Sequence, residues 1–309
     1  MVRIGVVGIG NIAQKAYLPI LGKMEGVELH LVTRNEETLR KIGDQYRIKN
    51  RYRTVEEILT LPLDGVFVHT ATESHPSIVS TLLHHGFHVY VDKPLAYTYQ
   101  EAERLVRLAE KMNRILMVGF NRRFAPMVRD LKAMKGPKLL LMEKNRSSLP
   151  GEIRTFLFDD FIHVADTLRF LLQEPILNFH VHTRREGELL YHIALHLISK
   201  HHHAIGIMNR DNGVAEEKIE VMSPGWKREI RNLNEGTDYR DGKEIRLSFG
   251  DWDPILYRRG FTDIITHFIE AIQGKRTIDP SAQDALETHL LLEKVIEHIT
   301  GEEMERRGV

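Results

Sequence analysis

Cysteine is absent from the 309-residue chain. That excludes disulfides, thiol nucleophiles, and zinc or iron–sulfur sites ligated by cysteine. An excess of either charge is missing too, since 43 Lys plus Arg balance 43 Asp plus Glu. The balance leaves no electrostatic reason for a nucleic-acid or membrane partner. No stretch approaches the ~20 apolar residues of a membrane span. Met1 to Gly5 enter a strand-like run at once, so no secretory signal is expected and the setting is read as cytoplasmic. Internal repeats and low-complexity linkers are also lacking. What is present is a chain with 42% hydrophobic and 28% charged residues, enough for two domains with an ordinary core and a charged surface. Histidine is the one surplus, at 17 residues.

The first third alternates strand and helix. Val2 to Val7 is nearly all apolar, as a strand buried on both faces of a parallel sheet would be. Further strands are expected at Val27 to Thr33, Gly65 to Thr70, Phe87 to Val91 and Ile115 to Gly119. Helices fall between them: Ile12 to Leu21 with Pro19 bending or ending it, Asn35 to about Tyr46, Pro76 to His84, and Ala102 to Met112 behind the capping-box pair Thr98 and Glu101. This rhythm predicts a doubly wound parallel sheet over residues 1–121. Beyond it the grammar changes. Helices are expected at Pro126 to Met134 and Phe156 to Leu172, and strands at Leu139 to Glu143, Ile176 to Thr183, Glu188 to Ile198, His203 to Asn209 and Ala215 to Met222. Turns with Gly187 or Asp211-Asn212-Gly213 favour antiparallel pairing. Helices at Thr262 to Gln273 and Ser281 to Ile299 close a second, α+β domain spanning 122–309.

Gly8-Ile9-Gly10-Asn11-Ile12-Ala13 is a G-x-G-x-x-A run placed between a strand and a helix. In that setting the first glycine permits the tight turn, the second lets a pyrophosphate approach, and Ala13 allows close helix–sheet contact. The second strand ends in Thr33-Arg34, where an NAD-preferring site usually carries Asp or Glu. Arg34 can pair with a 2′-phosphate, which favours NADP over NAD; the alternative leaves Arg34 at the surface and gives the ribose to Glu36 or Glu37. Lys93 follows a strand end where such sheets bind ligands, or is simply an exposed lysine. Asp159, His163 and Asp166 have helical spacing that would put all three on one face. A histidine flanked by carboxylates suits a general base, and polar pairing on a helix surface is the plainer alternative.

Taken together, Gly8-x-Gly10-x-x-Ala13, Thr70-Ala71-Thr72-Glu73-Ser74-His75, Asp92-Lys93-Pro94, Val118 to Phe124 and Asp159-x-x-x-His163-x-x-Asp166 resemble the motifs of the Gfo/Idh/MocA oxidoreductase family, in order and spacing over essentially the whole chain. Val91 to Ala96, Gly119 to Pro126 and Asp159 to His163 are similar to those of MviM-type oxidoreductases. The resemblance implies an N-terminal Rossmann domain and a C-terminal α+β domain with a large open antiparallel sheet. It implies NAD(P)-dependent hydride transfer on a hydroxyl or carbonyl carbon of a sugar-, polyol- or cyclitol-like molecule. By position, Lys93, Asp159 and His163 match the catalytic set, and Thr70, His75 and Asp92 lie on the cofactor side. Two departures stand out. Asp92 replaces the usual Glu, and Arg154 to Phe158 occupy the place of a customary Gly-Gly pair. A dinucleotide-binding regulator with a silent site is the alternative on the same fold.

The open sheet needs cover, so a homo-oligomer, dimer or tetramer, is expected through it. His180 and His182, His192 and His196, and His201 to His203 are read as a polar sheet face, with no metal site expected. Trp226 and Trp252 are read as packing or interface anchors, and Glu302 to Arg307 as a solvated tail.

Overall fold

A computed structural model describes the backbone of residues 1–307 and the side chains of 1–301. The fold is α/β, with two compact units, one formed by 1–119 with 261–287 and the other by 120–260 with 288–309. The segment 261–287, placed by the sequence pattern in the second domain, groups with the first. Among the described residues no helix is long and apolar enough to cross a membrane.

The first unit is built on six parallel strands in the order β3-β2-β1-β4-β5-β6. They are β1 (Val2–Val7), β2 (Val27–Val32), β3 (Asn50–Tyr52), β4 (Gly65–Val68), β5 (His88–Val91) and β6 (Leu116–Val118). Ile4, Val6, Val66, Phe67 and Val89 are fully buried, as central parallel strands require. Strand order reverses between β1 and β4, the switch point at which such sheets open a ligand crevice. The expected caps form: Asn35 accepts from the Thr38 amide at 2.9 Å, and Thr98 accepts from the Glu101 amide at 3.2 Å. The helix behind Thr98 starts at Tyr99, three residues before the expected Ala102, because the cap and not the first apolar residue sets its start. Short β3 carries no apolar pattern and was not expected. Helix Phe261–Ile272 lies on this sheet. Phe268 meets the rings of Phe67 and Tyr90 at 5.1 and 5.6 Å, and Gly65 has no side chain to block it.

The second unit is a nine-stranded sheet in the order β15-β14-β13-β12-β7-β11-β10-β8, with β9 also on β10. Its strands are β7 (Leu139–Asn145), β8 (Gly151–Glu152), β9 (Asn178–Glu186), β10 (Leu189–Ile198), β11 (His203–Asn209), β12 (Glu216–Ser223), β13 (Trp226–Arg231), β14 (Glu235–Arg240) and β15 (Lys243–Ser248). Pairing is antiparallel except between β7 and β11, so the sheet is mixed. Leu140, Met142, Ala204 and Met208 point into the core, where helix Ile162–Leu172 covers β7 and β11. Leu141, Ala194, Ile205 and Ile207 stand half-exposed on the opposite face. Trp252 is 96% exposed, so it is no packing anchor within the chain. Trp226 is held on the sheet by Arg240 over its ring and by a bond to Asp238. The terminal helix Ala282–Arg307 takes in the run Glu302 to Arg307, whose side chains lie outside the described residues.

Candidate active site

At the carboxyl ends of β1, β2 and β4 the first unit opens a cleft of about 730 Å³. Gly8, Gly10, Thr33, Arg34 and Thr70 line it, whereas Asn11, Ile12, Ala13, His75, Asp92 and Lys93 do not. Gly8 has φ +88°, and a Cβ there would sit 2.7 Å from the Thr70 amide nitrogen, so only glycine fits. A Cβ on Gly10 would meet nothing closer than 4.0 Å, which leaves its backbone open to the cleft. The Thr70 hydroxyl and both ring nitrogens of His69 are buried here without a hydrogen-bond partner. Buried polar atoms of this kind normally find one. A dinucleotide's phosphates and hydroxyls would supply partners, so the residues fit the group.

Of the lining residues that carried no site assignment from the sequence, two stand out. Arg53 stands exposed just beyond β3, in the same cleft as Arg34. His69 is buried beneath Tyr17, with ring centroids 3.9 Å apart, and burial pushes its imidazole down to about 3. Glu36 and Glu37 line a separate groove; Glu56 is the one carboxylate lining the cleft among the described residues.

His75 acts at one remove. It is 1% exposed, and its ring nitrogens lie 2.8 Å from Pro94 O and 3.1 Å from Thr70 O; the neutral ring donates to one of these carbonyls and packs against the other, so the loop after β5 is stapled beside the loop after β4. Lys93 lies in that stapled loop, half-buried, next to Asp92. Tyr17 donates to Asp92 at 3.3 Å and meets Tyr90 at 2.9 Å. Burial raises the Asp92 carboxyl above its usual range against the pull of Lys93, and burial likewise raises both phenols. Tyr17 spends its hydrogen on Asp92, so Tyr90 donates to Tyr17. Gly119 closes over this network; a Cβ would lie 2.7 Å from the Tyr90 hydroxyl.

In the second unit His163 and Asp166 lie three residues apart on the helix Ile162–Leu172, and Asp159 lies on the turn before it. Residues Phe156–Phe161, Asp159 among them, make a π-helical turn with i→i+5 bonding. Asp166 is buried and takes two bonds from Arg123, at 2.9 and 2.6 Å, and one from Thr288 at 3.0 Å. That carboxylate is structural. Asp160 is bound by Lys144 and Arg146, whose pull holds it below the usual carboxylate range despite burial. Asp159 and His163 are half-buried.

The partner at His163 Nδ1 is Arg122, not a carboxylate. Arg122 Nη1 lies 2.7 Å from Nδ1, and Glu217 grips Arg122 through two bonds of 2.7 Å. A guanidinium only donates, so Nδ1 must accept, and the neutral ring carries its hydrogen on Nε2. Position in the run Asn121-Arg122-Arg123-Phe124 was the only sequence signal for this residue, and Glu217 had none. Both tryptophans lie apart from these groups in sequence, and the histidines His180, His196 and His203 adjoin on the sheet surface at 6.2 and 5.4 Å between rings. Among the described residues no group of three or more potential ligands is arranged to hold a metal ion.

Residues 2–120 match the Gfo/Idh/MocA model, described as an oxidoreductase family with an NAD-binding Rossmann fold. Residues 126–240 match the YceM-like C-terminal domain. YceM of Salmonella typhimurium, named as an oxidoreductase with no substrate in its name, is 35% identical over 307 residues, 96% of each chain. Myo-inositol 2-dehydrogenase of Thermotoga maritima is 29% identical over 187 residues, 56% of each chain. Among solved structures, a Gfo/Idh/MocA family oxidoreductase from Vibrio cholerae has a TM-score of 0.92 at 31% identity, covering 98% of this chain and 99% of that one. A dehydrogenase from Clostridium difficile, MviM, has a TM-score of 0.90 at 35% identity, covering 96% and 99%.

Proposed function

This chain belongs to the Gfo/Idh/MocA oxidoreductase family, and from that membership we propose that it is an NADP- or NAD-dependent dehydrogenase or reductase acting on the hydroxyl or carbonyl carbon of a sugar-, polyol- or cyclitol-like molecule. The observation that carries the reading is the cleft at the switch point, with its open glycine backbone and unpartnered Thr70 and His69 atoms. The relative named as a myo-inositol dehydrogenase supports the substrate class. NADP is favoured by two arginines lining the cleft, Arg34 and Arg53, although the Glu36 carboxylate lies 3.8 Å from Arg53.

Bound nicotinamide would supply or take up the hydride. We assign the proton transfer to Lys93. His163 was expected to be the base, but with Nδ1 occupied by Arg122 it can take a proton only if that contact opens. Its role is therefore to donate from Nε2 to the substrate oxygen and stabilise charge there. Asp159 binds a neighbouring hydroxyl. A homo-oligomer, dimer or tetramer, through the half-exposed sheet face is part of the proposal, and a monomer in sedimentation at micromolar concentration would rule it out.

The test is turnover of a panel of polyols, cyclitols and aldoses, together with their phosphorylated and carboxylated forms, with each cofactor, measured by nicotinamide absorbance. Lys93→Ala should cut the rate by about 10²–10⁴-fold and His163→Ala by about 10²–10³-fold. The double variant should lose little more than the worse single one, since members of a catalytic unit are not additive. No turnover across the panel, or a wild-type rate from either variant, overturns the assignment.

A further inference from the structure

We propose that Arg210 is an oxyanion-binding residue of the candidate active site, so that the substrate carries a carboxylate or phosphoryl group. This deepens the oxidoreductase reading and rests on it. Arg210 ends the hairpin partner of β10, one residue past β11, with its backbone fixed by bonds from its amide to Tyr191 O and from the Leu149 amide to its own carbonyl. Its guanidinium lies over the ring of Phe156, 4.9 Å from the centroid, on the π-helical turn that carries Asp159. Nε is buried and has no hydrogen-bond partner. Every other arginine of this cluster has a carboxylate in the fork of its guanidinium: Glu217 for Arg122 and Asp160 for Arg146. Arg210 has none, and feels Asp159 and Asp160 only at longer range.

A buried, unpartnered donor on a charged group is costly unless something fills it. The planar fork of Nε and a terminal nitrogen matches two oxygens of a carboxylate or phosphoryl group. Stacking on Phe156 holds that fork in one plane. Phe156 stands where related sequences were expected to carry the Gly-Gly pair, so the departure from the family pattern supplies the platform. The surroundings also lean cationic: Lys144, Arg146, Arg122 and Arg210 stand against Asp159, Asp160 and Glu217. Lys144 shows the crowding, since burial and the nearby Arg122 hold its ammonium down to about 8 even with Asp160 bound to it. An arriving anion would relieve both strains.

Thermal unfolding with inorganic phosphate or malonate, at constant ionic strength, tests the proposal. The wild-type midpoint should rise saturably with at least one of them. Arg210→Met should weaken that response by about tenfold or more, the worth of one charge-assisted bidentate contact. Arg210→Lys keeps the charge and loses the fork; it should weaken the response too, and it carries the comparison if the Met variant does not unfold cooperatively. A stronger response to phosphate assigns a phosphoryl substrate, and a stronger one to malonate a carboxylate. No saturable response in the wild type, or equal responses in wild type and variants, overturns the proposal. NADH binding, read by fluorescence on the wild type, reports separately on the oxidoreductase reading: a protein that binds NADH and ignores both anions loses the anion site alone.

Discussion

A guanidinium has donors and no acceptor, so the contact from Arg122 to His163 Nδ1 removes one of the two neutral forms open to the ring. Glu217 keeps Arg122 in place, and burial of that carboxylate is outweighed by the Arg122 charge, which holds it below the usual range. The expected outcome is a single Nε2–H tautomer for His163, seen in imidazole nitrogen NMR shifts. Arg122→Met should release a mixture of tautomers and lower kcat more than it raises KM. A fast wild-type-like enzyme from Arg122→Met would show that the tautomer is of no consequence. In the first unit, Arg34→Ala should erase any preference for NADP(H). A charge-assisted hydrogen bond is worth about 1.5–3 kcal/mol, or roughly ten- to a hundredfold in affinity. Equal binding of NADPH and NADH by the unaltered protein would sink the assignment of Arg34 to a 2′-phosphate.

At the level of elements, the helix Ile162–Leu172 is fastened through Asp166 to Arg123 of one segment and Thr288 of another. Asp166→Asn keeps the shape and removes the charge that Arg123 faces. Breaking a buried pair typically costs about 3–5 kcal/mol, and chemical denaturation should show a loss of that order. A change under about 1 kcal/mol would mean the pair is worth no more than an exposed one. The sequence made most elements of the first unit legible because its strands other than β3 are largely apolar and two of its helices announce their caps, at Asn35 and Thr98. The glycine fingerprint was legible for the same local reason. Strands β13 to β15 were not, although Pro224-Gly225 and Asp241-Gly242 mark their turns. Trp226–Arg231 is dense in charge, with Arg228 on the buried face beside Ile230, and Lys243–Ser248 is charged and largely exposed, so no apolar alternation signals a buried face in either. Spacing also misled at Asp166, since what fixes its role is burial against Arg123 and Thr288, partners that helical spacing does not show. Arg122, Glu217 and Arg210 were beyond reach because their meaning lies in partners, or in the lack of one, far away in the chain.

For the molecule as a whole, buried histidines set the response to acid. Burial holds His69 down to about 3, and burial also lowers His75, His30 and His267. Below the usual imidazole value near 6.5 the unfolded chain takes up a proton that folded His69 refuses until about pH 3. Its contribution to stability is therefore complete above 6.5 and is lost as the pH falls across that window. One proton corresponds to about 1.4 kcal/mol per pH unit. Urea denaturation of His69→Phe between pH 5.5 and 4 (about one unit inside each limit) should give a slope shallower by about that amount. An unchanged slope would show that His69 titrates normally. The chain's path has a further consequence. It leaves the first unit after Gly119, returns at Phe261 and leaves again after Glu287. Helix Phe261–Ile272, which covers Phe67 and Tyr90, is encoded far downstream of the strands it lies on. A single crossover between the genes of two relatives, placed at the seam near residue 120, would give a hybrid whose first sheet is roofed by a helix evolved for a different one. Inheritance of this cofactor unit as an exchangeable module thus requires at least two breakpoints, and genes spliced at the seam alone should carry mismatched aromatic contacts at Phe268.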